Sequence, residues 1–168
     1  MRRKSSFPVL LILVCAVVAV SLVTRPAQAE PRSGREAASG AAHDGIPAVD
    51  RVEPAKLAAM IRSGHAPVIL QVGFTMLYTE AHIQGAIHAG PMVSAKGRAL
   101  LEKTTANMDR HAPLVIYCGC CPWEKCPNIR AAYRALHQMG FTNVKALYLA
   151  DNFGADWVQH GYPTAKGN

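Results

Sequence analysis

No acidic residue occurs before Glu30, although the same stretch carries Arg2, Arg3, Lys4 and Arg25. A basic start without acids, followed by the nearly uninterrupted apolar run Phe7 to Val23, is the composition of an export signal. Ala27-Gln28-Ala29 supplies the small-x-small pattern for cleavage, so residues 1–29 read as a signal peptide. An uncleaved anchor is the alternative, and the only route by which the membrane would be involved, because the run approaches spanning length. Cys15 lies behind Ile12-Leu13-Val14 and not behind small residues, which argues against a lipid attachment site. The folded part is therefore expected in the bacterial periplasm or outside the cell.

Several other absences narrow the class. No basic stripe interleaved with aromatics is present, which leaves nucleic acid without support as a partner. The whole chain has 18 basic and 11 acidic residues, a net +7; without the first 29 residues it is 14 against 11, or +3. Such a surface can steer small anions without committing to a polyanion. Internal repeats are missing too, and 168 residues, half of them hydrophobic, suit one compact domain. Cysteine is missing everywhere except Cys15 and the group Cys118, Cys120, Cys121 and Cys126. Stapling disulfides gain most by closing long loops, and these spacings are very short. The group therefore reads as local chemistry: redox, sulfur transfer or metal.

What is there alternates between strand and helix. Residues 30–49 are rich in Gly, Ala, Ser and Pro and read as a flexible linker, which leaves 50–166 for the domain. Pro54 to Arg62 has a helical apolar face, and Val68 to Val72 reads as a buried strand. Ala99 to Met108 is a further helix, and Leu114 to Tyr117 is a second buried strand running into Cys118. Pro127 at the first position and Gly140 just past the end frame a helix over 127–139, with an apolar stripe of Ile129, Ala132, Tyr133, Leu136 and Met139. Val144 to Leu149 is a third strand, and Trp157 belongs to a short terminal helix. This order predicts an α/β domain of three layers, a mostly parallel sheet covered by helices on both faces.

A buried strand, a loop and a helix start form a site for anions and nucleophiles, because loop amides and the helix dipole converge there. A cysteine so placed is expected to have a depressed pKa, and its thiolate reacts. Cys118 stands at the carboxyl end of the strand, where open α/β sheets bind ligands. Cys126 is the expected N-cap residue, but Pro127 beside it removes one amide. Cys120 and Cys121 are possible resolving or relay thiols. Lys125 and Arg130 offer positive charge for an anionic substrate or persulfide, and Trp123 a cover over the sulfurs.

The run APVILQVGFTMLYTEAHIQGAIHAGPM resembles the first half of a rhodanese domain, with Tyr78, His82, Ile83, Gly85, Ala86 and Ile87 matching its E-Y…G-H-I-P-G-A-I-N pattern. LVIYC resembles the active-site strand of that family, RAAYRALHQMGFTNVKAL the helix and strand after it, and Trp157 with Gly161–Pro163 the closing W…G-x-P. The resemblance spans about residues 50–165. It implies a persulfide mechanism in which Cys118 takes sulfane sulfur from a donor such as thiosulfate and gives it to a thiophilic acceptor such as cyanide or a thiol. The departures are Gln71-Val72-Gly73 for the D-V-R of the family, Asn152-Phe153 for its Gly-Gly, and eleven residues between Cys118 and Arg130 where four or five are usual.

The first expectation is thus a sulfurtransferase without cofactor, acting on a small sulfur-containing anion or thiol acceptor. A thiol–disulfide or persulfide relay with a redox or sulfur-carrier protein is the second. The third is a module in which Cys118, Cys120, Cys121 and Cys126 bind Cu(I) or Zn(II), with haem a fainter option. Export makes the most direct test: N-terminal sequencing of the exported protein is expected to begin at Glu30, and full-length chain in the membrane fraction would indicate the anchor.

Overall fold

The computed structural model describes residues 45–167. The expected signal peptide, and the expected linker as far as residue 44, lie outside the described residues. Packing begins ahead of residue 50, because Ile46 is fully buried and its carbonyl accepts from the Arg51 guanidinium at 3.0 Å.

Three apolar runs form the centre of the sheet: β2 (Val68–Gln71), β5 (Leu114–Tyr117) and β6 (Val144–Leu147). They are joined by β1 (Arg51–Val52) and β4 (Ile87–His88) in the order β1-β6-β5-β2-β4, and every pairing is parallel. Parallel strands are buried on both sides, which is why these runs are continuously apolar and not alternating. Two further strands, β3 (His82–Ile83) and β7 (Thr164–Ala165), pair antiparallel beside this sheet.

Successive side chains leave a strand on opposite faces, and the two faces have separate cores. Leu70, Leu114, Ile116, Val144 and Ala146 pack with Leu101 of α3 (Ala95–Thr105) and with Ile129, Ala132 and Leu136 of α4 (Pro127–Gln138). Ile69, Val115, Tyr117 and Leu147 pack with Leu57 and Ala58 of α1 (Pro54–Arg62), Tyr78 of α2 (Thr75–Glu80) and Trp157. Trp157 sits in a short π-helical turn, Gly154–Val158, and its indole N–H donates to the Pro163 carbonyl at 3.1 Å. The result is the expected three-layer α/β domain. Among the described residues no helix is long and apolar enough to cross a membrane.

The helix expected over Ala99 to Met108 instead begins at Ala95. Ser94 caps it, its hydroxyl accepting from the Gly97 amide at 3.0 Å, so the start is set by a cap and not by the apolar pattern. The strands β1, β3, β4 and β7 have two residues each, too few to show a period.

Ile116 is fully buried in the central strand. Ile116→Ala is expected to lower the unfolding free energy by about 2–5 kcal/mol, measured by urea denaturation.

Candidate active site in the cysteine loop

The loop is positioned from β5. The Val72 amide donates to the Tyr117 carbonyl at 2.8 Å, which keeps β2 and β5 paired up to the last strand residue, and Cys118 follows directly. Gly119 then turns the chain at φ +77°, and a Cβ there would lie 2.6 Å from the Phe153 Cβ. The Phe153 amide donates to the Gly119 carbonyl at 3.1 Å, so this turn is seated on the Asn152-Phe153 segment. Both the left-handed backbone and the close approach require glycine. After Pro122 a one-turn 3-10 helix, Trp123–Lys125, leads to Cys126, the residue before α4.

The four sulfurs lie in contact. The Cys118 and Cys120 sulfurs are 3.2 Å apart, and so are those of Cys120 and Cys121. The Sγ atoms of Cys118, Cys120 and Cys126 all fall within 4.8 Å of one another. In such a cluster the titration belongs to the group and not to one thiol. Its negative charge settles on Cys126, whose pKa is lowered by hydrogen bonds from Cys118 and then Cys120, against burial, with the Ile129 amide of α4 adding to the effect. The bond with Cys120 pulls the Cys118 thiol down, but its bond with Cys126, burial and the Cys126 charge outweigh this and push it up to about 12. Cys120 is raised by its bonds with Cys118 and Cys126, and Cys121 by burial and its bond with Cys120. The depressed thiol expected from a helix start is therefore Cys126 and not Cys118. The amide lost at Pro127 is replaced by neighbouring S–H donors and by the amide two residues further on.

Several polar residues hold Cys118 in place, and the sequence motifs did not point to them. The buried Asn128 accepts from the Val93 amide at 3.0 Å and directs its own N–H at the Cys118 sulfur, 3.5 Å away. The Cys120 amide also favours negative charge on Cys118. Gln71 donates to the Cys118 carbonyl at 3.4 Å and accepts from His88 Nδ1 at 2.8 Å, while His88 Nε2 accepts from the Thr75 hydroxyl at 2.9 Å. Burial lowers the His88 pKa, which agrees with a neutral ring wired this way. Gly73 explains one departure from the family pattern. A Cβ there would meet Gln71 Nε2 at 2.8 Å and Cys118 Sγ at 3.0 Å, so any side chain at this position would require Gln71 and Cys118 to shift.

The residues expected to bind substrate are differently employed. Arg130 donates to the carbonyls of Cys126 and Glu124, each at 3.0 Å, with the Glu124 carboxylate 4.0 Å away, and so clasps the loop from outside. Lys125 is exposed and does not line a cavity beside the sulfurs. Trp123 is buried, 5.2 Å from the Tyr148 ring and 5.4 Å from the Arg51 guanidinium, and its amide donates to the Ala150 carbonyl. It walls off the rear of the cluster, where only a crevice of about 10 Å³ adjoins Cys118 and Cys126. Cys120 and Cys121 instead line an open cavity of about 620 Å³ between α2, the Asn152-Phe153 segment and β7.

Fold and loop together define an α/β domain with a cluster of four cysteines at the carboxyl end of a central parallel strand. The profile of the rhodanese-like domain family matches residues 53–149, more than half of the chain, and the chain belongs to that family. Its fold is similar to that of the Alr3790 protein from Anabaena sp., with TM-score 0.55 and 20% identity over 69% of this chain and 92% of that one. The BH2092 protein from Bacillus halodurans gives TM-score 0.55 and 22% identity over 69% and 76%. Ygr203w from Saccharomyces cerevisiae, described as a homologue of single-domain rhodanese and the Cdc25 phosphatase catalytic domain, gives 0.50 and 13% over 71% and 88%. At these identities the likeness is one of fold. No curated protein sequence matches the chain.

The lowered pKa of Cys126 has a defined sign. One thiolate should persist as pH falls well below the ordinary thiol value of about 8.5. Ultraviolet thiolate absorbance should therefore retain one equivalent at mildly acidic pH in the reduced protein and lose it in Cys126→Ser.

Proposed function

We propose that this domain is an exported sulfurtransferase that carries sulfane sulfur as a persulfide on Cys118. The observation that supports this most is the seat of Cys118, directly after β5 and with the Asn128 N–H 3.5 Å from its sulfur. Cys118 gives its proton to Cys126 as its sulfur bonds to the sulfane sulfur of the donor, whose own S–S bond breaks. The Asn128 and Cys120 N–H groups face the negative charge that develops on Cys118. An acceptor thiolate then attacks the outer sulfur, and Cys118 leaves as a thiolate and recovers the proton from Cys126. One S–S bond forms for each one broken, so the cycle needs no redox cofactor.

The phosphatase side of this fold is less well served. Phosphoryl transfer asks for cationic donors around the anion, and Arg130 is committed to loop carbonyls. A second reading, binding of Cu(I) or Zn(II), is favoured by the triangle of Cys118, Cys120 and Cys126. Cys121 touches Cys120 but lies outside that triangle, so a fourth sulfur for a tetrahedral site is not in place.

Cys118→Ser is expected to abolish transfer from a sulfane donor to a thiol. Cys126→Ser should lower it by about 10²–10⁴-fold, the contribution of a positioned base, and move the pH profile upward. Mass spectrometry of the trapped protein should show one dithiothreitol-labile sulfur on Cys118. Persulfide mapped to Cys126, with turnover kept in Cys118→Ser, would refute the assignment. Stoichiometric metal with no sulfur uptake would establish the second reading.

A further inference from the structure

Cys118 is only 3% exposed, and so is Cys126. The crevice beside them has no room for a donor. The cavity that has room ends on Cys120 and Cys121. These observations concern how sulfur reaches the buried carrier, and the inference rests on the persulfide reading above. We infer that the cavity binds a low-molecular-weight peptide persulfide bearing both ammonium and carboxylate groups, and that Cys121 is the thiol that first receives its sulfur.

Size and charge both select the donor. A volume of about 620 Å³ is typical of sites for organic ligands, and thiosulfate would leave most of it empty. The walls include Leu77, Ala81, Phe153 and Val158, which suit the aliphatic backbone of a peptide. The charged residues of the lining are two carboxylates, Glu80 and Asp151, and one ammonium, Lys166. This balance disfavours a compact dianion and offers partners of both signs to a zwitterion.

The sulfurs form a continuous path inward from this cavity, Cys121 to Cys120 and Cys120 to Cys118, each step 3.2 Å. In the first exchange the Cys121 proton passes through Cys120 to the Cys126 anion. Cys121 sulfur then bonds to the sulfane sulfur of the donor R–S–SH. The S–S bond of the donor breaks, R–S⁻ leaves, and Cys121 holds –S–SH. Cys120 sulfur next attacks the outer sulfur, and Cys121 departs with the Cys120 proton. Cys118 repeats the step on Cys120. Every hop replaces one S–S bond and one S–H bond with another of each, so no oxidant or reductant is consumed.

The test uses the reduced full-length chain with three probes: glutathione persulfide, thiosulfate and inorganic hydrodisulfide. Sulfur uptake on Cys118 is followed by mass spectrometry over time. Wild type should load from glutathione persulfide faster than from thiosulfate. Cys121→Ser should slow this loading by about tenfold or more, and Ala81→Phe, which fills the cavity, by a similar factor. Ala81→Phe should still load from hydrodisulfide, which needs little space and shows that the variant is folded and its thiols competent. If no probe places sulfur on Cys118, the sulfurtransferase reading itself fails. If Cys118 loads but Cys121→Ser loads as fast as wild type, the path is wrong. If thiosulfate is preferred, the assignment of the donor is overturned.

Discussion

The chemistry of this domain depends on where β5 stops. Its pairing with β2 on one side and β6 on the other holds the strand rigid as far as Tyr117. Cys118 is the next residue, so its sulfur is placed by the sheet and not by the loop. The close packing around it follows from that. Gly73 has no side chain because Cys118 Sγ occupies the space, and Gly119 has none because Phe153 does. A loop seated in this way can be long without being loose, since both of its ends, and Trp123 in its middle, are tied to the sheet layer.

The second constraint is that the four thiols form one cluster and titrate together. A buried thiolate is costly unless hydrogen-bonded. The loop answers with S–H donors in place of the arginine that family members of ordinary loop length have there. Arg130, displaced outward by the longer loop, holds the loop backbone. The negative charge then settles where backbone amides and the helix start add to it, on Cys126. The residue carrying the anion and the residue at the strand end are thus different, which separates the proton acceptor from the attacking sulfur.

Much of the architecture was legible in the sequence because it rests on long apolar runs. VILQ, LVIY and VKAL are strands as expected, and α4 shows its amphipathic stripe and its Pro and Gly boundaries. The four two-residue strands were not legible, since pairing alone defines them. The cluster of cysteines was evident from spacing, and the rhodanese-like resemblance was carried by the motifs around it. The polar residues supporting Cys118 were hidden for a physical reason. Asn128 and Gln71 act through buried contacts to elements far away in the chain, and polar residues in those positions look like ordinary surface positions in a linear pattern. Arg130 shows the converse: charge and nearness in sequence suggested a substrate contact, and the fold turns the guanidinium to the carbonyls of Cys126 and Glu124.

The departures from the family pattern belong together. With arginine at position 73, its side chain would collide with Cys118 and Gln71. With aspartate at position 71, a second negative charge would face a cluster that already holds one, and the N–H that reaches the Cys118 carbonyl would be lost. Gln71 supplies a donor to that carbonyl and an acceptor to His88 without adding charge. Phe153 in place of glycine closes over Gly119 and supplies an apolar wall to the cavity, which a smaller residue would leave open. Each exchange removes a charge or fills a space that the four-sulfur loop requires to be neutral or filled.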